Sequence, residues 1–304
     1  MRVNRLSTRV LTALTLLLIA VLIAFVVSCV QEGEDSGKIG VIVTIPPQAE
    51  FVEKVGGENV DVTVMVPPGA SPHTYEPTPN QMTNVARAEM YVKVGSGVEF
   101  ELVWMDRLTA QNDDMLVADC SEGIQLIEMA GAHEYEGEDY EHGTMDPHIW
   151  MSPLNARIMV QNICDGLVQI DPDNRAYYEA NRDAYSQSLA QLDQDIRAGL
   201  SGVTNRTFMV YHPAFGYFAE AYELTMLPIE EEGKEPTASG LAHLIDQAKE
   251  HNIKVIFASP QFNPQSAEVI ADEIGGSVVF IDSLAGDYVE NLRTLLGELG
   301  EAMR

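Results

Sequence analysis

KIGVIVTI, residues 38–45, and VDVTVMV, residues 60–66, are short runs dense in valine and isoleucine, the composition of buried strands. Between them, residues from about Gln48 to Val55 read as a helix stopped by Gly56-Gly57. The same alternation continues outward. MYVKV (90–94) and MLVAD (115–119) read as strands, with helices over about 80–87 and 99–110. Far downstream, TFMVYH (207–212), LTMLPI (224–229), KVIFAS (254–259) and SVVFID (277–282) repeat the pattern, interleaved with helices over about 214–222, 237–251, 264–274 and 287–303. Strands alternating with helices predict βαβ units and mostly parallel sheets.

A chain of 304 residues is long enough for two cores of ordinary size. The strand series falls into two halves, separated by the longest helical stretch. That stretch opens at Asp171-Pro172 and runs to about residue 202. Tyr178, Tyr185, Leu189, Leu192 and Ile196 place an apolar stripe along one face. Some thirty helical residues would reach roughly 45 Å, which suits a rigid spine joining two bodies. The expected fold is therefore α/β: two lobes, each a mostly parallel sheet flanked by helices, joined by one long rigid backbone helix. The boundaries are a first lobe over 38–170, a linking helix over 171–202 and a second lobe over 203–304.

Charge excludes one class of partner. Asp and Glu number 46 against 18 Lys and Arg, a net charge of −28, which repels nucleic acid and anionic lipid and attracts cations. The start of the chain reads as an address. Arg2, Arg5 and Arg9 precede an apolar run from Val10 to Val27 interrupted only by Thr12 and Thr15. Val26-Val27-Ser28-Cys29 resembles a lipoprotein cleavage box, with residues 1–28 removed, Cys29 lipidated and 29–37 a linker. An uncleaved signal anchor is the alternative, because 18 apolar residues can just span a bilayer. Both place the folded part outside the cytoplasm, tethered to the outer face of the membrane. Cys120 and Cys164 are too few for a cysteine zinc site, and either a disulfide or buried free thiols fits them.

Three of the seven histidines share a setting. His73 follows Pro72 in PPGASPHTYEPTP (67–79), a loop with five of the chain's 15 prolines. His148 follows Pro147 in DPHIWMSP (146–153), and His212 precedes Pro213 at the end of a strand. Ligands of open parallel sheets gather at the carboxyl ends of strands. Proline beside an imidazole limits the freedom lost when that ring is fixed, as a metal ligand must be. A closed tetrahedral site needs a fourth donor, and FIDSLAGDYVENL (280–292) offers Asp282 and Asp287, the latter also a candidate helix N-cap. His243 and His251 read as ordinary helix residues. His133 and His142 lie in 131–146, GAHEYEGEDYEHGTMD, which has no apolar periodicity and reads as an exposed acidic loop, either a weak metal-gathering segment or a solvated insertion. Phosphate-loop, GxSxG and HExxH motifs are absent from the sequence.

Together these segments resemble the zinc/manganese-binding solute receptors of ABC importers, the ZnuA- and TroA-like proteins. VPPGASPHTYEPTP, DPHIWMSP and YHPAFGYFAE look like the three histidine ligand segments of that family, carrying His73, His148 and His212. IEEEGKEPTASGL (229–241) and FASPQFNPQSAEVIADEIGG (257–276) look like its C-terminal segments. DSLAGDYVENL matches the segment that bears an acidic ligand, which puts that role on Asp287. The resemblance implies a metal held between two α/β lobes, and a monomeric receptor delivering it to an ABC permease and its ATPase subunits. Three imidazoles and one carboxylate suit Zn²⁺; manganese, which prefers oxygen donors, or iron is the alternative. A metal-dependent adhesin on the same scaffold and a zinc hydrolase or lyase are the other function classes. A hydrolase needs an open coordination position and a substrate pocket, which the sequence does not announce.

Overall fold

The computed structural model describes residues 37–129, 145–230 and 234–303. The leader 1–28, Cys29 and the loop histidines His133 and His142 lie outside the described residues. Among the described residues no helix is long and apolar enough to cross a membrane.

The first half contains β1 (Ile39–Val43), α1 (Pro46–Gly56), β2 (Val60–Val64), α2 (Pro79–Val85), β3 (Met90–Lys93), α3 (Glu99–Thr109) and β4 (Leu116–Asp119). Two helices follow, α4 (Pro153–Ile170) and α5 (Arg175–Leu200). The second half contains β5 (Thr207–Val210), α6 (Gly216–Ala221), β6 (Thr225–Pro228), α7 (Ala238–Glu250), β7 (Val255–Ala258), α8 (Gln265–Ile274), β8 (Ser277–Phe280) and α9 (Tyr288–Ala302). Both sheets are four-stranded and wholly parallel, with the same spatial order: β2-β1-β3-β4 and β6-β5-β7-β8. Each reverses its winding beside its first strand, so each has a crevice at its carboxyl edge.

Burial follows strand and helix periods. On β5, Phe208 and Val210 face the main core, which runs on through α4, α5 and α9 to the first sheet. Met209 and Tyr211 face a second, smaller cluster with Leu244, Ile256 and Ile270. The expected stripe on α5 is buried at Tyr178, Tyr185, Leu189, Leu192 and Ile196. The main core is thus shared by both lobes.

Three expectations change. The long helix is a 3₁₀ turn, Pro172–Asn174, followed by 26 α-helical residues from Arg175, about 39 Å of rise. At its start Asp171 Oδ2 accepts from Asn174 Nδ2 and Tyr178 Oη, each at 2.7 Å. The exposed loop 131–146 is not exposed at its end: Asp146 is 0% accessible, and Met145 bridges to Glu128. Asp287 occupies the N-cap position of α9 without a side-chain cap. Glu50 of α1 takes that work instead, its Oε2 accepting the Tyr288 N–H at 2.6 Å while Oε1 accepts the Tyr185 hydroxyl at 2.8 Å. Cys120 and Cys164 are both buried free thiols.

Glu50 therefore ties α1, α5 and α9 together through two charge-assisted bonds. Glu50→Ala is expected to lower unfolding stability by about 1–3 kcal/mol, read as a lower urea midpoint with an unchanged slope.

Candidate metal centre

The β2–α2 loop is built to hold His73. Pro67 and Ser71 carbonyls accept from Ala70 and from Thr74 and Tyr75, folding the loop into consecutive turns. Gln81 then bolts it down: its Oε1 accepts from Thr78 N and Tyr75 Oη, each at 2.9 Å, and its Nε2 donates to Val64 O and Met65 O. Thr78 and Gln81 form a capping box at the start of α2, with Pro79 as its first residue.

His148 begins a single 3₁₀ turn, Ile149–Met151, between the first sheet and α4. Three bonds pin this turn from both lobes. Ser96 Oγ donates to Pro147 O at 2.5 Å, Trp150 Nε1 to Ser283 O at 2.8 Å, and Tyr288 Oη to Trp150 O at 2.7 Å. The Gly95-Ser96-Gly97 run serves this scaffold. Gly95 has φ +82°, and a Cβ there would meet Asp119 Oδ1 at 1.9 Å. Glu101 anchors the run from beneath, accepting from Val94 N, Gly95 N and Thr44 Oγ1, and its burial pushes its carboxyl pKa up. His212 lies just past β5, where Phe262 stacks on it at 4.5 Å and 23°.

Each of the three imidazoles meets one carboxylate through Nδ1. His73 meets Glu99 Oε1 at 3.0 Å, His148 meets Asp146 Oδ1 at 2.7 Å and His212 meets Glu230 Oε2 at 3.0 Å. A carboxylate oxygen accepts, so each Nδ1 carries the proton and each Nε2 presents a lone pair. The Nε2 atoms of His148 and His212 stand 3.2 Å apart. Two lone pairs at that range require a proton or a cation between them. Two nitrogens on one tetrahedral zinc, each at 2.0–2.1 Å, stand about 3.3 Å apart. The His73 ring centroid lies 5.2 Å from that of His212. All three rings line one narrow cleft that is partly open to solvent. Among the described residues no three His, Cys, Asp or Glu side chains form a finished cage. The buried pair is at ligand spacing, while His73 belongs to the rim, with 29% of its side chain exposed against 7% for His148 and 6% for His212.

The electrostatics divide along the same line. The Glu99 hydrogen bond raises the His73 pKa above 6.5, outweighing the opposing effect of burial. Glu99 is itself lowered, because the bond to His73 and its charge overcome a burial effect of opposite sign. His212 is lowered, by burial first, with Glu230 opposing.

Asp287 is exposed and is not part of the cleft wall. Asp282 accepts from Gln261 Nε2 and Leu284 N. His243 and His251 are exposed on and after α7. Sequence reasoning missed Glu99, Asp146 and Glu230. Asp146 was visible only as the residue two before His148, where its Oδ1 also accepts the His148 N–H at 2.9 Å. Its approach also explains Gly216, where a Cβ would meet Asp146 Oδ2 at 2.1 Å.

A family model described as ZnuA, the periplasmic component A of a zinc-uptake complex, matches residues 41–302. This chain belongs to the ZnuA family. The family is one of metal-binding transport receptors on the periplasmic side, working with an ABC permease and its ATPase. The High-affinity zinc uptake system protein ZnuA of Bacillus subtilis (strain 168) is 33% identical over 255 residues, which span 82% of this chain and 79% of that protein. Zinc-binding lipoprotein AdcA of Streptococcus pneumoniae (strain ATCC BAA-255 / R6) is 29% identical over 270 residues, and the match spans only 53% of its length. A crystal structure of ZnuA superposes with a TM-score of 0.82 at 40% identity, covering 88% of this chain and 100% of that one.

In an NMR titration of protein stripped of metal by a chelator, the His73 ring should titrate above 6.5 and the His212 ring below it. Glu99→Gln should bring His73 down, and Glu230→Gln should lower His212 further, because each change removes an acid that favours the protonated ring.

Proposed function

We propose that this chain is an extracytoplasmic receptor that captures Zn²⁺ through His73, His148 and His212 and delivers it to an ABC permease with its ATPase subunits. One observation carries the reading: two buried imidazole nitrogens from different lobes, 3.2 Å apart, each oriented by its own buried carboxylate. Such carboxylate–histidine pairs are the usual outer support of zinc sites. A nitrogen-rich donor set favours zinc over manganese, which prefers oxygen and is bound more weakly by a given site. The relatives' names point the same way, since both the Bacillus and the Streptococcus proteins are described by zinc.

Asp287 enters this reading from the resemblance alone. Its exposed place at the start of α9 means that the 283–287 segment must turn inward for it to reach the ion. Lipidation at Cys29 would hold a monomeric receptor beside its permease on the outer face of the membrane.

His148→Ala and His212→Ala should each weaken Zn²⁺ binding at least a hundredfold in competition with a chelating dye. Glu230→Gln should weaken it about 10–100-fold, the usual cost of losing such an outer partner. Unchanged affinity in the His148 and His212 variants would falsify the site. Zn²⁺ should displace Mn²⁺ at equal concentration, and the reverse order would reassign the cargo. Asp287→Ala should cost at least tenfold if its carboxylate closes the shell; unaltered binding removes it from the ligand set. Cys29→Ser should release the protein from the membrane fraction, and retention there would favour the uncleaved anchor.

A further inference from the structure

Two of the three imidazoles share a neighbour that carries no donor atom. Phe262, in the turn after β7, stacks on the His212 ring at 4.5 Å and 23°. It also stands 6.2 Å from the His73 ring, tilted by 58°. The first contact lies within the second lobe, and the second crosses to the first. Phe262 lines the cleft together with all three histidines.

The phenyl ring is held from behind. Its backbone N–H donates to Ser259 O at 3.2 Å. Tyr211 packs against the ring at 5.7 Å and is itself fixed by a hydroxyl bond to Glu235 Oε1 at 2.8 Å. Phe262 is half-buried and joins the smaller core. Glu99 and Glu230 already orient His73 and His212 through Nδ1, so ring alignment alone does not call for an aromatic wall. What Phe262 adds is an apolar face against a ring that presents its Nε2 lone pair.

Metals differ in what that face costs them. Zn²⁺ is satisfied by four donors, with nitrogen among them. Mn²⁺ prefers an octahedral set rich in oxygen, so a cleft of imidazoles leaves it dependent on bound waters. Those waters need room and hydrogen-bond partners, and a phenyl ring offers neither. The apolar shell around a metal governs solvent access to it.

We propose that Phe262 is a specificity-determining residue for the cargo: its ring closes one side of the site to water and so penalises cations that need a fuller shell than Zn²⁺. The inference rests on the reading of the cleft as a zinc site.

The probes are Zn²⁺ and Mn²⁺, by competition with a chelating dye, and Co²⁺, whose visible absorption is strong in tetrahedral sites and weak in octahedral ones. Phe262→Ala removes the wall. It should cut the preference for Zn²⁺ over Mn²⁺ about tenfold and weaken the Co²⁺ bands. Phe262→Gln keeps the bulk but offers waters a hydrogen-bonding partner. The same losses are expected, and this variant carries the test if Phe262→Ala fails to fold. Phe262→Leu keeps an apolar wall without a flat ring, and should retain both the preference and the bands. An unaltered Zn²⁺-to-Mn²⁺ ratio in the folded Ala and Gln variants overturns the proposal, whether the two affinities stay put or fall together. So does a Leu variant that behaves like the Ala variant, because flatness rather than exclusion of water is then the requirement. An unsubstituted chain that binds no metal, or prefers Mn²⁺, overturns the zinc reading instead, a separate result.

Discussion

Two imidazole lone pairs, on His148 and His212, are held face to face at 3.2 Å with little access to water. Left to themselves the rings would turn apart or share a proton. Asp146 and Glu230 prevent the first by holding Nδ1 on the far side of each ring. Because these carboxylates are themselves buried, neither can let go without losing its partner to no water in exchange. The arrangement presents a ready electron-pair edge to a divalent cation. The two nitrogens are preorganised in the sense that no ion is needed to bring them together.

The scaffold's task is to stop the two lobes from relaxing that contact. It does so close to the site. Trp150 of the first lobe donates to the Ser283 carbonyl of the second, and Tyr288 donates back to the Trp150 carbonyl. Tyr217 reaches across to the Asp146 carbonyl at 3.0 Å. Behind these bonds, the buried face of α5 belongs to a core that includes residues of both sheets. Separating the lobes widely would expose that core, at roughly 25 cal/mol for each Å² of apolar surface. Movement at the site is therefore easiest at its rim, where His73 and Glu99 sit on a loop and a helix start with much of their side chains in solvent.

The proline loop and the buried pair solve one problem in two ways. His148 and His212 are fixed by burial, which needs a satisfied carboxylate for every ring. His73 is fixed by covalent stiffness and by Gln81, which bridges the start of α2 to the end of β2. Stiffness replaces burial where the ring stays near solvent.

Much of this was legible along the chain, because it is local. Valine-rich runs, helix stripes and a Gly-Gly stop gave the described strands and most of the described α-helices within a few residues, and proline neighbours singled out three of seven histidines. Local signals failed where the partner is distant. Glu50 caps α9 from 238 residues away, so Asp287 looked like a cap and is not one. Asp146 ended a stretch that reads as solvent-exposed, yet Tyr217 and His148 bury it. Glu99 was one acid among 46, and Glu230 lay in a segment marked only by the family resemblance, with nothing to single it out from Glu231 and Glu232. Sequence by itself determined the elements and singled out the histidines that meet in the cleft, since both follow from side-chain periodicity and residue chemistry. Only the tertiary structure decided which carboxylate holds which ring and how far apart the nitrogens stand, because those distances are set by packing between segments that the chain order keeps far apart.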